Sequence, residues 1–213
     1  AASDVYKRQN MNVNEVVATL ASRASDLTIN PNDHVNFGQS SNDVIPTAIH
    51  VSAVTAVSRD LLPAIDELIS AISLKSDALQ GVCKTGRTHL MDAMPVRMDQ
   101  ILEGWAAQLE NARALISSTL AHLQYVALGG SAVGTGINTH RDFSAASTQI
   151  LSTNMGLEFF PAKEHFSLIG SQDSAVALSG QLKTLAVALL KISNDLRWMN
   201  STSDHLRLSL IHI

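Results

Sequence analysis

Leu178-Ser179-Gly180-Gln181-Leu182-Lys183-Thr184-Leu185-Ala186-Val187-Ala188-Leu189-Leu190-Lys191-Ile192-Ser193-Asn194-Asp195-Leu196 decides the fold class. Leu178, Leu182, Leu185, Leu189, Ile192 and Leu196 recur in alternating steps of four and three, which places them on one stripe of an α-helix at the spacing of a coiled-coil seam. Such a seam needs a long, nearly parallel helical partner. That partner is supplied either within the chain or by a bundle shared between subunits.

Working outward from this stretch, the same period returns upstream. Ile101, Leu102, Trp105, Leu109, Ala112, Ile116 and Leu123 predict a second long helix, and Ile65, Leu68, Ile69 and Ile72 predict a third. No segment has the strict alternation of a half-buried strand, so the expected class is all-α, a bundle of long helices. Asn30-Pro31-Asn32-Asp33, Gly81 to Pro95, Gly129 to Asn138 and Gly156 to Gly170 carry helix-breaking residues and are read as loops. The chain has no internal repeat and no low-complexity tract, so one helical domain is expected. Ala1 to Gln9 and Thr202 to Ile213 share neither the period nor the character of what they flank. They are expected to be foreign extensions on a core running from Asn10 to Ser201.

Composition narrows the function. At 213 residues, 46% hydrophobic and 16% charged, the chain has enough apolar surface to bury a core, and nothing in that balance suggests disorder. Aromatic residues make up only 4%, the net charge is −4 and no run of Lys or Arg occurs, so nothing is set up to stack on bases or neutralise phosphates. Nucleic acid is not an expected partner. Nor is the membrane, because no stretch approaches the roughly 20 apolar residues of a bilayer span; the longest apolar run, Leu185 to Leu190, stops at Lys191. Asp4, Lys7 and Arg8 interrupt any apolar region at the amino end, so no signal peptide is expected. Cys83 is the single cysteine, which excludes a disulfide within the chain and fits a reducing compartment.

Three polar segments carry candidate chemistry. Gln39-Ser40-Ser41-Asn42-Asp43 precedes a helix-like run with side chains that cap a helix amino terminus. The same hydroxyls and amide, beside the positive end of a helix dipole, suit a carboxylate ligand, and the two roles are compatible. Gly86-Arg87-Thr88-His89-Leu90 contains a histidine able to exchange protons near neutral pH and an arginine able to fork a carboxylate; either is equally a residue of a solvated face. Gly129-Gly130-Ser131-Ala132-Val133-Gly134-Thr135-Gly136-Ile137-Asn138 matches neither nucleotide-binding glycine pattern, and no strand is predicted before it. A tight interhelical turn or a ligand-facing loop remains. No pair of histidines at i, i+4 flanks a glutamate and no Asp-rich loop has calcium spacing, so no metal and no cofactor is expected. General acid–base chemistry is left.

Taken in order, Asn10-Met11-Asn12-Val13-Asn14-Glu15-Val16, Asn30 to Pro46, Gly86 to Pro95 and Leu128 to His140 resemble class II fumarases, within the larger fumarase and aspartase superfamily. The resemblance covers nearly all of Asn10 to Ser201. It implies a long-helix bundle assembling as a homotetramer, with each active site drawing segments from three subunits. It also implies reversible anti addition of water to fumarate, giving L-malate through a carbanion stabilised as an aci-carboxylate. By the same resemblance Ser40, Ser41 and Asn42 match the segment that binds the substrate carboxylate, Thr88 a further substrate contact, and His89 the histidine that handles the water and its proton. Asn30, Pro31, Asn32 and Asp33 match a second, non-catalytic dicarboxylate site, where the family usually carries His in place of Asn30. The compartment is read as cytoplasmic, with the mitochondrion as the alternative.

Two departures from the family pattern bear on activity. Val5 to Gln9 stands where the family has a Ser-Gly-Thr substrate segment, and the family's Gly-Ser-Ser loop, with its serine base, lysine and asparagine, does not follow Trp198-Met199-Asn200-Ser201. The chain by itself is therefore expected to be inactive, in effect a non-catalytic helical scaffold. Among enzymes the rival is aspartate ammonia-lyase or another lyase of the superfamily. Fumarase is preferred because His89 follows Thr88 where aspartases typically carry Gln, and Ser41 follows Ser40 where they typically carry Thr.

Overall fold

Helices account for most of the chain in the computed structural model, which describes residues 2–200. They are α1 (Ala2–Ser25), α2 (Ser41–Ala56), α3 (Leu62–Ala78), α4 (Met98–Leu123), α5 (Phe143–Met155), α6 (Phe166–Gly170) and α7 (Asp173–Met199). The all-α class read from the sequence is the one adopted, and the three periodic segments fall in α3, α4 and α7. One expected boundary is crossed without a break, because α1 runs straight through Asn10. The other, at residues 202–213, lies outside the described residues.

The described residues gather into two compact units, each discontinuous in sequence: those up to Val57 with Leu120–Val176, and Ser58–Thr119 with those from Ala177 to Asn200. A π-helical turn, Val57–Leu61, joins α2 to α3 at this division. Pro63, near the start of α3, lacks an N–H and cannot continue an ordinary α ladder, which accounts for the irregular turn before it.

In the second unit the core is built from α4. Leu102, Trp105, Leu109, Ala112 and Ile116 are buried, with Ile65 of α3 and Leu185 and Ile192 of α7. Polar contacts fix the neighbours. Arg113 reaches Asp66 of α3 with paired N–H donors at 2.5 and 2.9 Å, and the Trp105 indole N–H donates to Asp195 of α7 at 3.1 Å. Along the seam every seventh residue is covered, Leu178, Leu185 and Ile192, whereas Leu182, Leu189 and Leu196 are 37, 37 and 53% exposed. Half of the seam has found its partner. By length and composition α7 is also apolar enough to cross a bilayer, so the expectation that no stretch meets that requirement fails for this helix. The reason is that Val176, Val187 and Leu190 extend its apolar character beyond the seam onto exposed faces.

Three of the expected loops are more ordered than read, the first being Asn30-Pro31-Asn32-Asp33, which enters a π-helical turn, Pro31–Val35. Residues 83–97, within and just beyond the segment read as a loop from Gly81 to Pro95, form an antiparallel hairpin, β1 (Cys83–Thr88) with β2 (Met91–Arg97), in which Thr88 pairs with Met91. Strand alternation was invisible because the hairpin is exposed on most of both faces, so no apolar face repeats at period two. Pro95 is tolerated because a two-stranded ribbon has only edges. The register slips between Thr85 and Arg87, and the residue in between must be glycine: a Cβ on Gly86 would lie 2.5 Å from the Met94 carbonyl oxygen. The expected loop Gly156 to Gly170 likewise contains β4 (Phe160–Pro161), parallel to β3 (Tyr125–Val126), and the short helix α6.

Candidate functional site

In the first unit, Ser40 is the N-cap of α2. Its hydroxyl accepts from the Asn42 N–H at 3.2 Å while the Asp43 carboxylate accepts the Ser40 N–H at 2.9 Å, a capping box formed by Ser-x-x-Asp. This pairing fixes the first turn at the positive helix end, a position that favours a carboxylate. Ser41 and Asn42 follow on the same half-buried turn. The Asn42 side-chain N–H donates to the Ala132 carbonyl at 2.7 Å, so one of its two amide hydrogens is committed to the protein.

Asp43, read from the sequence only as part of the capping segment, does more than cap the helix. It is fully buried, and its second oxygen accepts the backbone N–H groups of Gly129 at 3.1 Å and Ser131 at 2.9 Å. Burial lifts its pKa above the ordinary carboxylate value, against the opposing pull of the N–H groups of Ser40, Ser131 and Gly129. The capping-box spacing was there to be read. Its reach to a loop far along the chain was not.

Two turns further along α2, His50 is buried with Nδ1 2.7 Å from the Tyr125 carbonyl oxygen. A carbonyl can only accept, so Nδ1 carries the proton. Burial pushes the His50 pKa down, with the carbonyls of Tyr125 and Leu123 working against it. Asp43 and His50 thus hold one backbone segment from two sides, the carboxylate taking N–H groups and the imidazole donating to a carbonyl.

The glycine-rich loop packs closely against α5 and α6. A Cβ on Gly129 would fall 2.5 Å from Ser144 Cβ, and one on Gly130 would fall 2.7 Å from His165 Cβ. Gly129 also has φ +103°, open to glycine alone. Close approach, rather than nucleotide binding, explains these glycines. Val133 and Ile137 at the loop tip are exposed.

Pro31, Asn32 and Asp33 lie in one π-helical turn, Pro31–Val35, which Asn30 immediately precedes. The Asn30 side chain accepts from the N–H groups of Asn32 at 2.8 Å and Asp33 at 3.1 Å, while its own N–H donates to His34 Nδ1 at 2.9 Å. Asn30 therefore acts here as the cap of the turn.

In the second unit, Thr88 ends β1 and His89-Leu90 form the hairpin turn, with φ of 51° and 63°. Positive φ at both central residues is the signature of a type I′ turn, which normally takes Asn-Gly. His89 and Leu90 hold it at a steric cost and are exposed at its apex. Arg87, just before the turn, meets Asp92 at 3.3 Å. Beside the hairpin a cavity of about 530 Å³ is lined by Lys84, Arg87, Leu90, Lys191, Asp195 and Trp198, among others. Burial and the nearby Arg87 push the Lys84 pKa down, and Asp195 opposes this. Among the described residues no group of three or more His, Cys, Asp or Glu is arranged to hold a metal ion.

The family model that matches this chain is described as Lyase and spans residues 1–211. Fumarate hydratase class II 2 of Pseudomonas aeruginosa is 59% identical over 192 residues, covering 90% of this chain and 42% of that protein. Fumarate hydratase class II of Xylella fastidiosa is 53% identical over 203 residues, covering 93% and 43%. Among solved structures, the class II fumarase of Schistosoma mansoni superposes with a TM-score of 0.87 at 36% identity, covering 93% of this chain and 46% of that one. A fumarate lyase:delta crystallin from Brucella melitensis bound to cobalt gives 0.85 at 36% identity, covering 91% and 43%. The chain spans less than half the length of the curated relatives it matches. The resemblance to class II fumarases holds in sequence and in fold, and the chain belongs to the lyase family.

Proposed function

We propose that the complete protein containing this chain is a class II fumarate hydratase, interconverting fumarate and L-malate. The observation that carries this reading is the 59% identity with a fumarate hydratase of class II across 90% of the chain. The local geometry supports it. Ser40, Ser41 and Asn42 stand at a capped helix amino terminus suited to a carboxylate. Thr88 and His89 stand at an exposed turn closed by the Thr88–Met91 pair of its hairpin, where a histidine can deliver or remove a proton. Electrostatic stabilisation of the dianion that develops on the substrate would come from such donors.

Assembly as a homotetramer belongs to the same proposal. The half-covered seam of α7, with Leu182, Leu189 and Leu196 open, supports a bundle completed by other subunits. The Asn30–Asp33 turn is the candidate for a second dicarboxylate site, and a cytoplasmic location follows the same kinship. With the Asn30 oxygen already accepting two backbone N–H groups, only its amide hydrogens remain to meet an anion.

The test is an absorbance assay of fumarate consumption by the full-length protein, with water or ammonia as nucleophile. Loss of fumarate without ammonia, yielding malate, is the expected result. Consumption that requires ammonia and yields aspartate would replace the proposal with its nearest rival.

A further inference from the structure

We propose that Asp43 is a positioning residue, which locks the Ser40–Asn42 segment and the Gly129–Asn138 loop into a single preformed wall for the substrate carboxylate. This inference rests on the function proposed above and assigns a role that the fumarase resemblance did not supply.

The carboxylate is shared between two jobs that need not coincide. Oδ1 accepts the Ser40 N–H, completing the capping box, and Oδ2 accepts the N–H groups of Gly129 and Ser131. A cap alone needs only the first, and a capping side chain is ordinarily solvated. Asp43 instead is fully buried, and burying a charge is unfavourable unless its oxygens are well satisfied. Three converging backbone N–H donors satisfy them. A second contact repeats the coupling, since Asn42 donates to the Ala132 carbonyl at 2.7 Å. The backbone of the glycine loop is therefore fixed from both sides, through its N–H groups by Asp43 and through a carbonyl by Asn42.

The consequence is geometric. Asn42 can offer its remaining amide hydrogen to a ligand only in the direction left by Ala132, and the position of Ala132 is set by the Ser131 N–H held on Asp43. Moving the carboxylate would therefore reorient a substrate-binding amide without touching substrate. Ser131 sits at φ +60°, an unfavourable region for a serine, and its N–H contact with Asp43 offsets that cost.

The experiment compares the full-length protein with Asp43→Asn, which keeps the shape but presents N–H groups where an acceptor is required. KM for fumarate should rise about tenfold, the scale of one lost charge-assisted hydrogen bond, with kcat reduced much less. Amide hydrogen exchange at Gly129 and Ser131 should accelerate in the same variant. A merely structural carboxylate would lower the melting temperature and the yield of folded protein while leaving KM of the folded fraction unchanged, and that outcome overturns the proposal. Should Asp43→Asn fail to fold, Asp43→Glu keeps the charge but displaces the oxygens by a methylene; it carries the same expectation for KM, and an unchanged KM is equally fatal. Absence of fumarate turnover and of dicarboxylate binding in the unaltered protein would instead remove the proposed function itself. An active unaltered protein with an insensitive variant removes only the role of Asp43.

Discussion

The carboxylate of Asp43 accepts the Ser131 backbone N–H at 2.9 Å across 88 positions of sequence, joining the start of α2 to the glycine-rich loop. This buried group makes stability depend on pH in a direction opposite to most carboxylates. Its folded-state pKa lies above the ordinary 3.8, so the stabilising contribution is complete below pH 3.8 and is lost as pH rises through the folded value. Urea unfolding across that window should find the unaltered protein losing stability relative to Asp43→Asn, which cannot ionise. Parallel pH profiles for the two proteins would contradict this.

His50 titrates in the other sense. Its pKa is depressed below 6.5 by burial, so its contribution is complete above pH 6.5 and is lost as pH falls through the folded value. His50→Gln retains a donor for the Tyr125 carbonyl and removes the titration. Its stability should vary less than that of the unaltered protein as pH falls below 6.5, measured by thermal unfolding.

The turn at His89 and Leu90 separates strain from chemistry. Leu90 at φ 63° adopts a left-handed conformation with most of its side chain exposed, so Leu90→Gly should stabilise the protein by about 1 kcal/mol. His89→Asn keeps a residue that tolerates this region, so the turn persists. Loss of a general acid–base group should then lower kcat by about 10²- to 10⁴-fold in the full-length enzyme, with a smaller change in KM. Unchanged turnover would exclude His89 from proton transfer.

Trp105 couples α4 to α7 through more than its area. Its N–H donates to Asp195 and the Lys191 ammonium lies 5.9 Å from its ring centre. Trp105→Phe keeps a large aromatic ring but loses the hydrogen bond, and should cost about 1 kcal/mol in urea denaturation. Trp105→Ala, which also leaves a cavity among buried side chains, should cost about 3–5 kcal/mol.

Parts of this structure were legible in the sequence because their physics is local and periodic. Leu178 to Leu196 and Ile101 to Leu123 repeat at helical spacing, and the structure places them in α7 and α4. The capping segment at Ser40 was equally plain, since Ser and Asn before a helix-like run are ordinary capping residues. The hairpin was not legible. Its turn uses His-Leu where Asn-Gly would have announced it, and its exposed strands need no apolar alternation. The partners of Asp43 and His50 were hidden for a different reason. A buried polar side chain reveals its role only through the backbone groups it meets, and Gly129, Ser131 and Tyr125 are brought to α2 by tertiary packing.

The most direct measurement is a crystal structure of the full-length protein soaked with L-malate. Density for malate with a carboxylate against Ser41 and Asn42 is the predicted result. Malate bound only at sites remote from the Ser40–Asn42 segment would contradict the account.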